Sequence, residues 1–262
     1  MTMNMNMNEI ERALRELRLS GVRATLDTRI LQAQASQQPF LETFSLILQD
    51  ELDRRRSRLT ERRYQHSGLD ERVTLHDFDW RFNPKVPRQA CFELHTLKFI
   101  TEGINALIIG KPGTGKSHIA KALAYQATLQ GYDVRYVEAD STFAQFSLAS
   151  PDEQSKRLKE LLEPDLLVLD DMFLARRITD ASAELLQTVV HRRYKLRRSI
   201  VVTSNRVVQD WGKYLGDNTM STTILDRLMH RSALLEFEGK SYRMKEAAAR
   251  IACATQPPER AP

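Results

Sequence analysis

The spacing of hydrophobic residues divides the chain into two regions with different periods. From about residue 8 to residue 65, apolar side chains recur every three or four positions, as in Ile10, Leu14 and Leu17. This spacing places them on one face of a helix. A Ser-Gly break at residues 20–21 and a proline at position 39 separate the pattern into three predicted helices, which end at residues 67–68. Residues 1–67 are therefore predicted to form a small N-terminal all-helical domain that binds DNA or a partner.

After residue 67, short apolar runs typical of strands alternate with helical stretches. Such alternation predicts an α/β fold in which helices flank a parallel sheet. The predicted strands cover residues 106–109, 134–138, 166–170, 200–204 and 234–237. Helices are predicted to begin near Gly115, Ser141, Asp152, Asp180 and Ser221. Gly131 has the position of a helix-terminating glycine. We assign residues 68–250 to this domain and expect residues 251–262 to form a disordered tail.

The composition is ordinary for a globular protein. Of the 262 residues, 42% are hydrophobic, and the two cysteines, Cys91 and Cys253, have no partners at metal-ligand spacing. The first residues lack the basic and apolar segments of a signal peptide, and no apolar run is long enough to span a membrane. We therefore expect a cytoplasmic, soluble protein without a membrane partner, a disulfide framework or a zinc site.

Basic residues are concentrated in two runs, although the net charge of +5 is modest. The first run lies within residues 54–63 and the second within residues 191–198. Clustered arginines suit the phosphate backbone of DNA, and a solvated helix face explains such runs about equally well. Both interpretations stay open at this point. The candidate DNA contacts are Arg54, Arg55, Arg56, Arg58, Arg62 and Arg63.

Residues 110–117 read GKPGTGKS, a complete G-x-x-x-x-G-K-[ST] phosphate loop. In such a loop the glycines let backbone N–H groups surround phosphate oxygens, the lysine (Lys116) neutralises the β- and γ-phosphates, and the hydroxyl (Ser117) binds Mg²⁺. A chance glycine turn is disfavoured, because a predicted strand precedes the loop and a predicted helix follows it. The predicted ATP-binding residues are Gly110, Pro112, Gly113, Thr114, Gly115, Lys116, Ser117 and His118.

Two aspartates end the apolar strand that begins at residue 166, giving the Walker B pattern Leu-Leu-Val-Leu-Asp-Asp. We expect Asp170 to hold Mg²⁺ together with Ser117, and Asp171 to orient or partly deprotonate the attacking water. A strand followed by a helix cap is the alternative, which the position downstream of a phosphate loop disfavours. Asn205 follows the next predicted strand, at the sheet edge where α/β proteins bind ligands, and is predicted to contact the γ-phosphate or the water.

Together these motifs resemble the IstB family, the ATP-binding helper proteins of insertion sequences, which is related to DnaC helicase loaders and to DnaA within the AAA+ class. The resemblance covers residues 8–245 and includes Trp211, ILDRLMH at residues 224–230 and EGKSYR at residues 238–243. It implies an AAA+ core with a reduced helical lid, assembly of a homo-oligomer on duplex DNA with ATP, and delivery of an IstA-like transposase to its target.

The resemblance also assigns roles to single residues. Arg227 resembles an arginine finger that reaches a neighbouring subunit, with Arg231 as the alternative, and Arg243 resembles the second sensor arginine. Asp171 stands where AAA+ proteins usually carry glutamate, so slow, DNA-stimulated ATP hydrolysis is expected. The predicted catalytic residues are Lys116, Asp170, Asp171, Asn205, Arg227 and Arg243.

The leading hypothesis is a DNA-binding ATPase that regulates transposition: it assembles with ATP on target DNA, recruits or activates a transposase, and disassembles on hydrolysis. The alternative is a DnaC-like loader that binds a replicative helicase. A GTPase or a small-molecule kinase is disfavoured, since the sequence has no N-K-x-D guanine motif. Phe78, Trp80 and Phe82 are expected to line the adenine pocket, although Trp80 and Trp211 are both more often packing anchors.

Overall fold

The computed structural model describes residues 6–174, 179–215 and 218–254, and the chain divides into two compact units between Arg62 and Arg63. The helix that contains this division, α3 (Phe40–Ser67), continues to Ser67. α3 therefore ends at the residue where the sequence predicted a boundary, whereas the boundary between the two compact units lies earlier, between Arg62 and Arg63. That the N-terminal unit binds DNA or a partner stays a prediction.

The N-terminal unit consists of three helices over its described residues. α1 (Met7–Glu16) and α2 (Ser20–Ser36) precede α3. The buried carboxylate of Glu51 on α3 accepts hydrogen bonds from the backbone N–H groups of Gly21 (2.5 Å) and Val22 (3.2 Å) at the start of α2. A Cβ at position 21 would lie 2.6 Å from the Cα of Glu51, so glycine lets α2 and α3 approach closely.

In the described part of the second unit, five strands form one parallel sheet, in the order β2-β3-β4-β1-β5. Each strand lies where the sequence predicted one, with small differences at the ends. β1, β3 and β4 are almost wholly buried, because helices cover both faces of a parallel sheet, whereas Arg135 and Glu138 of β2 are partly or fully exposed. The strands are β1 (Asn105–Gly110), β2 (Val134–Glu138), β3 (Leu166–Met172), β4 (Ser199–Ser204) and β5 (Ser232–Phe237).

Two hydrophobic clusters cover the two faces of the sheet, one around Ile108 and Val168 and the other around Leu107 and Val202. The nine helices in the described part of this unit are α4 (Arg88–His95), α5 (Lys98–Glu102), α6 (Lys116–Leu129), α7 (Ala139–Ser147), α8 (Pro151–Leu162), α9 (Asp180–Leu196), α10 (Trp211–Leu215), α11 (Asn218–Met229) and α12 (Tyr242–Ala254). Over the same residues, no helix is long and apolar enough to cross a membrane.

Some element boundaries differ from the prediction. The sequence did not predict α4, α5, α10 and α12, and α11 begins at Asn218, earlier than the expected Ser221. Gly131, with φ 96°, follows the end of α6 as predicted. α12 extends to Ala254, so the first residues of the expected tail are helical, and residues 255–262 lie outside the described residues.

The second basic run is partly internal. The guanidinium of Arg193 is fully buried, and Arg198 also turns inward. Arg193 donates hydrogen bonds of 2.8–3.3 Å to the backbone carbonyls of Leu161, Leu162, Pro164, Asp165 and Ser199. The last backbone carbonyls of a helix have no hydrogen-bond donors within the helix, and they attract cations. At the end of α8, Arg193 and Arg198 donate hydrogen bonds to these carbonyls. A phosphate contact is therefore excluded for the buried Arg193, and Arg198 is half-buried and bonded to backbone carbonyls of its own chain.

Candidate functional site

The phosphate loop connects β1 to α6, as its motif requires. Gly113 and Gly115 have φ angles of 75° and 101°, in the region that disfavours side chains. A Cβ at Gly115 would lie 2.3 Å from the ring of Phe78, and one at Gly113 would lie 2.1 Å from the hydroxyl of Ser241. Both positions therefore require glycine for conformation and for space.

Lys116 is the first residue of α6 and is nearly buried, with 5% of its surface exposed. Its Nζ donates to Oδ1 of Asn205 (2.5 Å), just after β4, and to the carbonyl of Lys111 (2.9 Å). Burial lowers the pKa of Lys116 to about 8, and the nearby charges of Asp171 and Asp170 oppose this shift. The structure thus brings together the lysine and the amide that the sequence placed at the γ-phosphate.

The carboxylate of Asp170 is buried behind the phosphate loop, with 3% of the residue exposed. Its Oδ2 accepts a hydrogen bond from the hydroxyl of Tyr136 on β2 (2.5 Å), and its Oδ1 accepts one from the hydroxyl of Thr203 on β4. Burial, followed by the charge of Asp170, raises the pKa of Tyr136, so its phenol remains a donor. The sequence reasoning missed Tyr136 and Thr203, because other polar residues in β2 and β4 leave their hydroxyl groups without a distinct signal.

The backbone of Asp171 is unusual, with a φ angle of 50°. The register of pairing between β3 and β4 also shifts between Leu169 and Met172. Such irregularities turn a side chain away from the regular pleat and often occur at functional sites. The backbone N–H of Asp171 donates to the hydroxyl of Thr203 (2.9 Å). Burial and the charge of Asp170 raise the pKa of Asp171, whereas the charge of Lys116 opposes this shift.

Most of the predicted site residues line a polar cavity of about 530 Å³. The predicted residues that line it are Gly113, Gly115, Lys116, Ser117, His118, Asp171, Asn205 and Arg243. The residues that the sequence reasoning did not include are Glu71, Lys121, Tyr242 and Glu246. Among the described residues, Gly110, Pro112, Thr114 and Asp170 do not line this cavity, although Thr114 lines the pocket beside it.

An aromatic pocket of about 280 Å³ adjoins the polar cavity, and the two share Gly115, His118, Tyr242 and Glu246. Phe78 and Phe82 line this pocket, whereas its binding of adenine stays a prediction. Of the described residues, Trp80 is not part of the lining. Its ring packs against those of Phe78 and Phe92, and its Nε1 donates to the carbonyl of Leu75 (3.2 Å). Trp80 is thus a packing residue, as is the fully buried Trp211.

Comparison with known proteins identifies the family. A family model described as IstB-like ATP binding protein matches residues 12–249. The chain belongs to the IstB-like ATP-binding family. A Pseudomonas aeruginosa protein, named as an ATP-binding protein of insertion sequence IS21, is 34% identical over 92% of this chain and 90% of that protein. A Mycobacterium tuberculosis protein, named as an ATP-binding protein in an insertion sequence, is 30% identical over 90% of this chain and 94% of that one.

Solved structures confirm the AAA+ fold of this IstB-like chain. The crystal structure of DnaI has a TM-score of 0.54 at 17% identity, over 65% of this chain and 90% of that chain. The replication initiator DnaA, bound to AMPPCP and single-stranded DNA, has a TM-score of 0.54 at 23% identity, over 74% of this chain and 58% of that chain. At these identities the likeness shows the fold alone.

The two predicted arginines of the IstB-like site lie in different places. Arg243, on α12, lines the polar cavity. Arg227, on α11, donates to the carbonyl of Thr223 (2.9 Å) in its own helix, and over the described residues it does not line that cavity. Burial lowers the pKa of His191, and the charges of Lys195 and Arg227 lower it further.

The candidate DNA contacts of this IstB-like chain lie on α3 and are exposed, apart from Arg63, which is half-buried. Arg55 pairs with Glu51 (2.7 Å) and Arg56 with Asp53 (3.8 Å). An exposed helix face fits both interpretations of this run, so its contact with DNA stays a prediction.

Proposed function

We propose that the chain binds and hydrolyses ATP to regulate its own assembly on DNA during transposition. The observation that carries this proposal is the polar cavity in which Lys116, Ser117, Asp171, Asn205 and Arg243 meet. The backbone of the phosphate loop and Lys116 would hold the phosphates, and the adjoining aromatic pocket would hold the base. Phosphoryl transfer needs mainly positioning and charge stabilisation, which these groups supply.

The residues present fit a magnesium ion by the chemistry of their oxygen atoms, although the buried Asp170 is not among the described residues that line the polar cavity. Ser117 and Asp170 offer the hydroxyl and carboxylate oxygens that Mg²⁺ prefers, and each Asp170 oxygen accepts one hydrogen bond and keeps a further lone pair. When bound, Mg²⁺ would neutralise charge that develops on the phosphates. Asp171 would orient the attacking water, and the raised pKa of its carboxyl suits partial acceptance of a proton.

The proposed switch depends on a neighbouring subunit. Arg243 belongs to the site of its own chain, whereas Arg227 would reach the nucleotide of the next subunit as an arginine finger. ATP would then stabilise the oligomer, because only the assembled interface completes the charge around the γ-phosphate, and hydrolysis would release it.

Duplex DNA and a transposase are the proposed partners. Relatives across this chain's length are named for insertion sequences, which encode transposition functions. The exposed arginines of residues 54–63 would contact DNA phosphates, and the ATP-bound assembly would recruit an IstA-like transposase. DNA contact would in turn stimulate a slow ATPase by favouring assembly.

The decisive experiment measures ATP turnover with and without duplex DNA. Wild type is expected to hydrolyse ATP slowly and faster with DNA, and Lys116→Ala to lose turnover under both conditions. Lys159→Ala removes an exposed lysine from α8 and serves as the matched control. Equal turnover in Lys116→Ala and wild type would refute the ATPase proposal.

A second experiment tests DNA contact through the salt dependence of affinity. Replacing Arg54, Arg58 and Arg62 by glutamine should make the slope of log K against log[salt] shallower by up to about 2.7, at roughly 0.9 per lost phosphate contact. The control replaces Arg12, Arg18 and Arg23, which are also exposed in the N-terminal unit, and removes the same charge. Equal slopes in both triple variants would exclude residues 54–63 as the contact. Pull-downs with a transposase and with a replicative helicase separate the two candidate partners.

A further inference from the structure

Hydroxyl groups from both strands beside β3 reach the carboxylate of Asp170. Tyr136 on β2 donates to one oxygen (2.5 Å), and Thr203 on β4 donates to the other. All three residues are buried, at 8%, 0% and 3% exposure for Tyr136, Thr203 and Asp170. The carboxylate is therefore held on both sides by groups that are themselves fixed by packing.

The sheet order creates this arrangement. β3 lies between β2 and β4, and Tyr136 is paired with Val168, the preceding residue on the same face as Asp170. Phenylalanine would fill the apolar space at position 136 equally well, so packing alone does not require the hydroxyl. The hydroxyl instead supplies a partner that a buried carboxylate needs.

Thr203 connects the two carboxylates of the site. Its hydroxyl donates to Asp170 and accepts from the backbone N–H of Asp171 (2.9 Å). One side chain thus fixes the orientation of Asp170 and the irregular backbone at Asp171. Partners of metal ligands commonly set the orientation of the ligand, and their loss lowers metal affinity.

We propose that Tyr136 and Thr203 are positioning residues that orient the Asp170 carboxylate toward the Mg²⁺ that accompanies a bound nucleotide. This inference rests on the proposed ATPase function. Among the described residues, neither Tyr136 nor Thr203 lines the polar cavity or the aromatic pocket, so both would act through Asp170.

The test measures the affinity of a fluorescent ATP analogue in MgCl₂ and in EDTA, together with the melting temperature. The ratio of the two affinities reports how strongly Mg²⁺ supports nucleotide binding. Tyr136→Phe should leave affinity in EDTA within about twofold of wild type and lower the ratio roughly tenfold. Tyr125→Phe removes the hydroxyl of a half-buried tyrosine on α6 that packs against Tyr64, and should leave the ratio unchanged.

Thr203 provides a second pair of variants. Thr203→Val should lower the ratio of the two affinities, and Thr203→Ser, which keeps the hydroxyl, should have the wild-type ratio. If Tyr136→Phe does not fold, these two variants test the inference on their own. A Tyr136→Phe variant that loses stability but keeps the wild-type ratio, or loses affinity equally in MgCl₂ and EDTA, would overturn the inference. Failure of wild type to bind the analogue at all would instead refute the proposed function.

Discussion

Replacement of Arg193 by methionine tests whether a basic residue of the second run stabilises the fold. Arg193 lies on α9, and its guanidinium is fully buried. It donates to five backbone carbonyls at the end of α8 and at the starts of β3 and β4. Methionine resembles the aliphatic part of the arginine side chain and has similar helix propensity, so the variant removes the guanidinium and its hydrogen bonds while the helix is kept.

The expected loss of stability follows from these bonds. A net contribution of about 1 kcal/mol per hydrogen bond gives roughly 5 kcal/mol for the five bonds. Burial of the arginine charge is itself unfavourable, so its removal offsets part of this loss. We therefore expect Arg193→Met to lower the free energy of unfolding by about 3 kcal/mol. For a unit of this size, that corresponds to a melting temperature lower by roughly 6–12 °C.

Thermal unfolding followed by circular dichroism provides the measurement. Arg192→Met is the matched control, because Arg192 precedes Arg193 on α9 and is exposed. It should change stability by no more than about 0.5 kcal/mol. Arg193→Lys keeps the charge but cannot reach all five carbonyls, and should lie between wild type and Arg193→Met. Equal, small changes in Arg192→Met and Arg193→Met would refute the reasoning.

Three further predictions concern the helical unit and the nucleotide site. Arg29 donates to both carboxylate oxygens of Asp50 and lowers the pKa of Asp50 to about 2. Because this pKa lies below the unfolded value of about 3.9, the stabilisation is present at neutral pH and is lost as the pH falls through 2. Asp50→Asn should therefore lower the urea midpoint at pH 7 and not near pH 2; a difference that persists at pH 2 would contradict this. Phe78→Ala should weaken ATP binding roughly tenfold in calorimetry and leave tripolyphosphate binding unchanged, whereas Trp80→Ala should change ATP binding less than about twofold. Gly115→Ala should weaken ATP binding at least about tenfold, since φ there is 101° and Phe78 blocks the space of a Cβ. Adding Phe78→Ala to Gly115→Ala removes the clash but not the backbone strain, so full recovery would show that strain is unimportant.

The sequence predicts the sheet well, because buried parallel strands are short apolar runs between helical stretches. The phosphate loop and the two aspartates are also local patterns, and the structure places Lys116 beside Asn205 as expected. Prediction fails where a role depends on which elements become neighbours. The contact between Tyr136 and Asp170 requires β2 to lie beside β3, and no local pattern encodes that order.

The pattern of charges along the sequence also fails to predict the role of individual residues. A run of cations does not show which members face inward, and Arg193 turns toward carbonyls that become its neighbours only after folding. The aromatic linker is a comparable case, because Phe78 lines the pocket whereas Trp80 packs beneath it. The roles of Arg227 and of residues 54–63 depend on other molecules, so folding of one chain does not reveal them.

Because β2 lies at the edge of the described sheet, the two hydroxyl groups that hold Asp170 lie on strands with different numbers of paired neighbours. β4, which carries Thr203, is paired on both sides, whereas β2, which carries Tyr136, is paired only with β3 among the described strands. Edge strands open more readily than central strands, because fewer hydrogen bonds must break. We therefore expect the orientation of the buried carboxylate to depend on how firmly β2 stays paired with β3. A molecule that covered this edge would steady Asp170 without entering the nucleotide cavity.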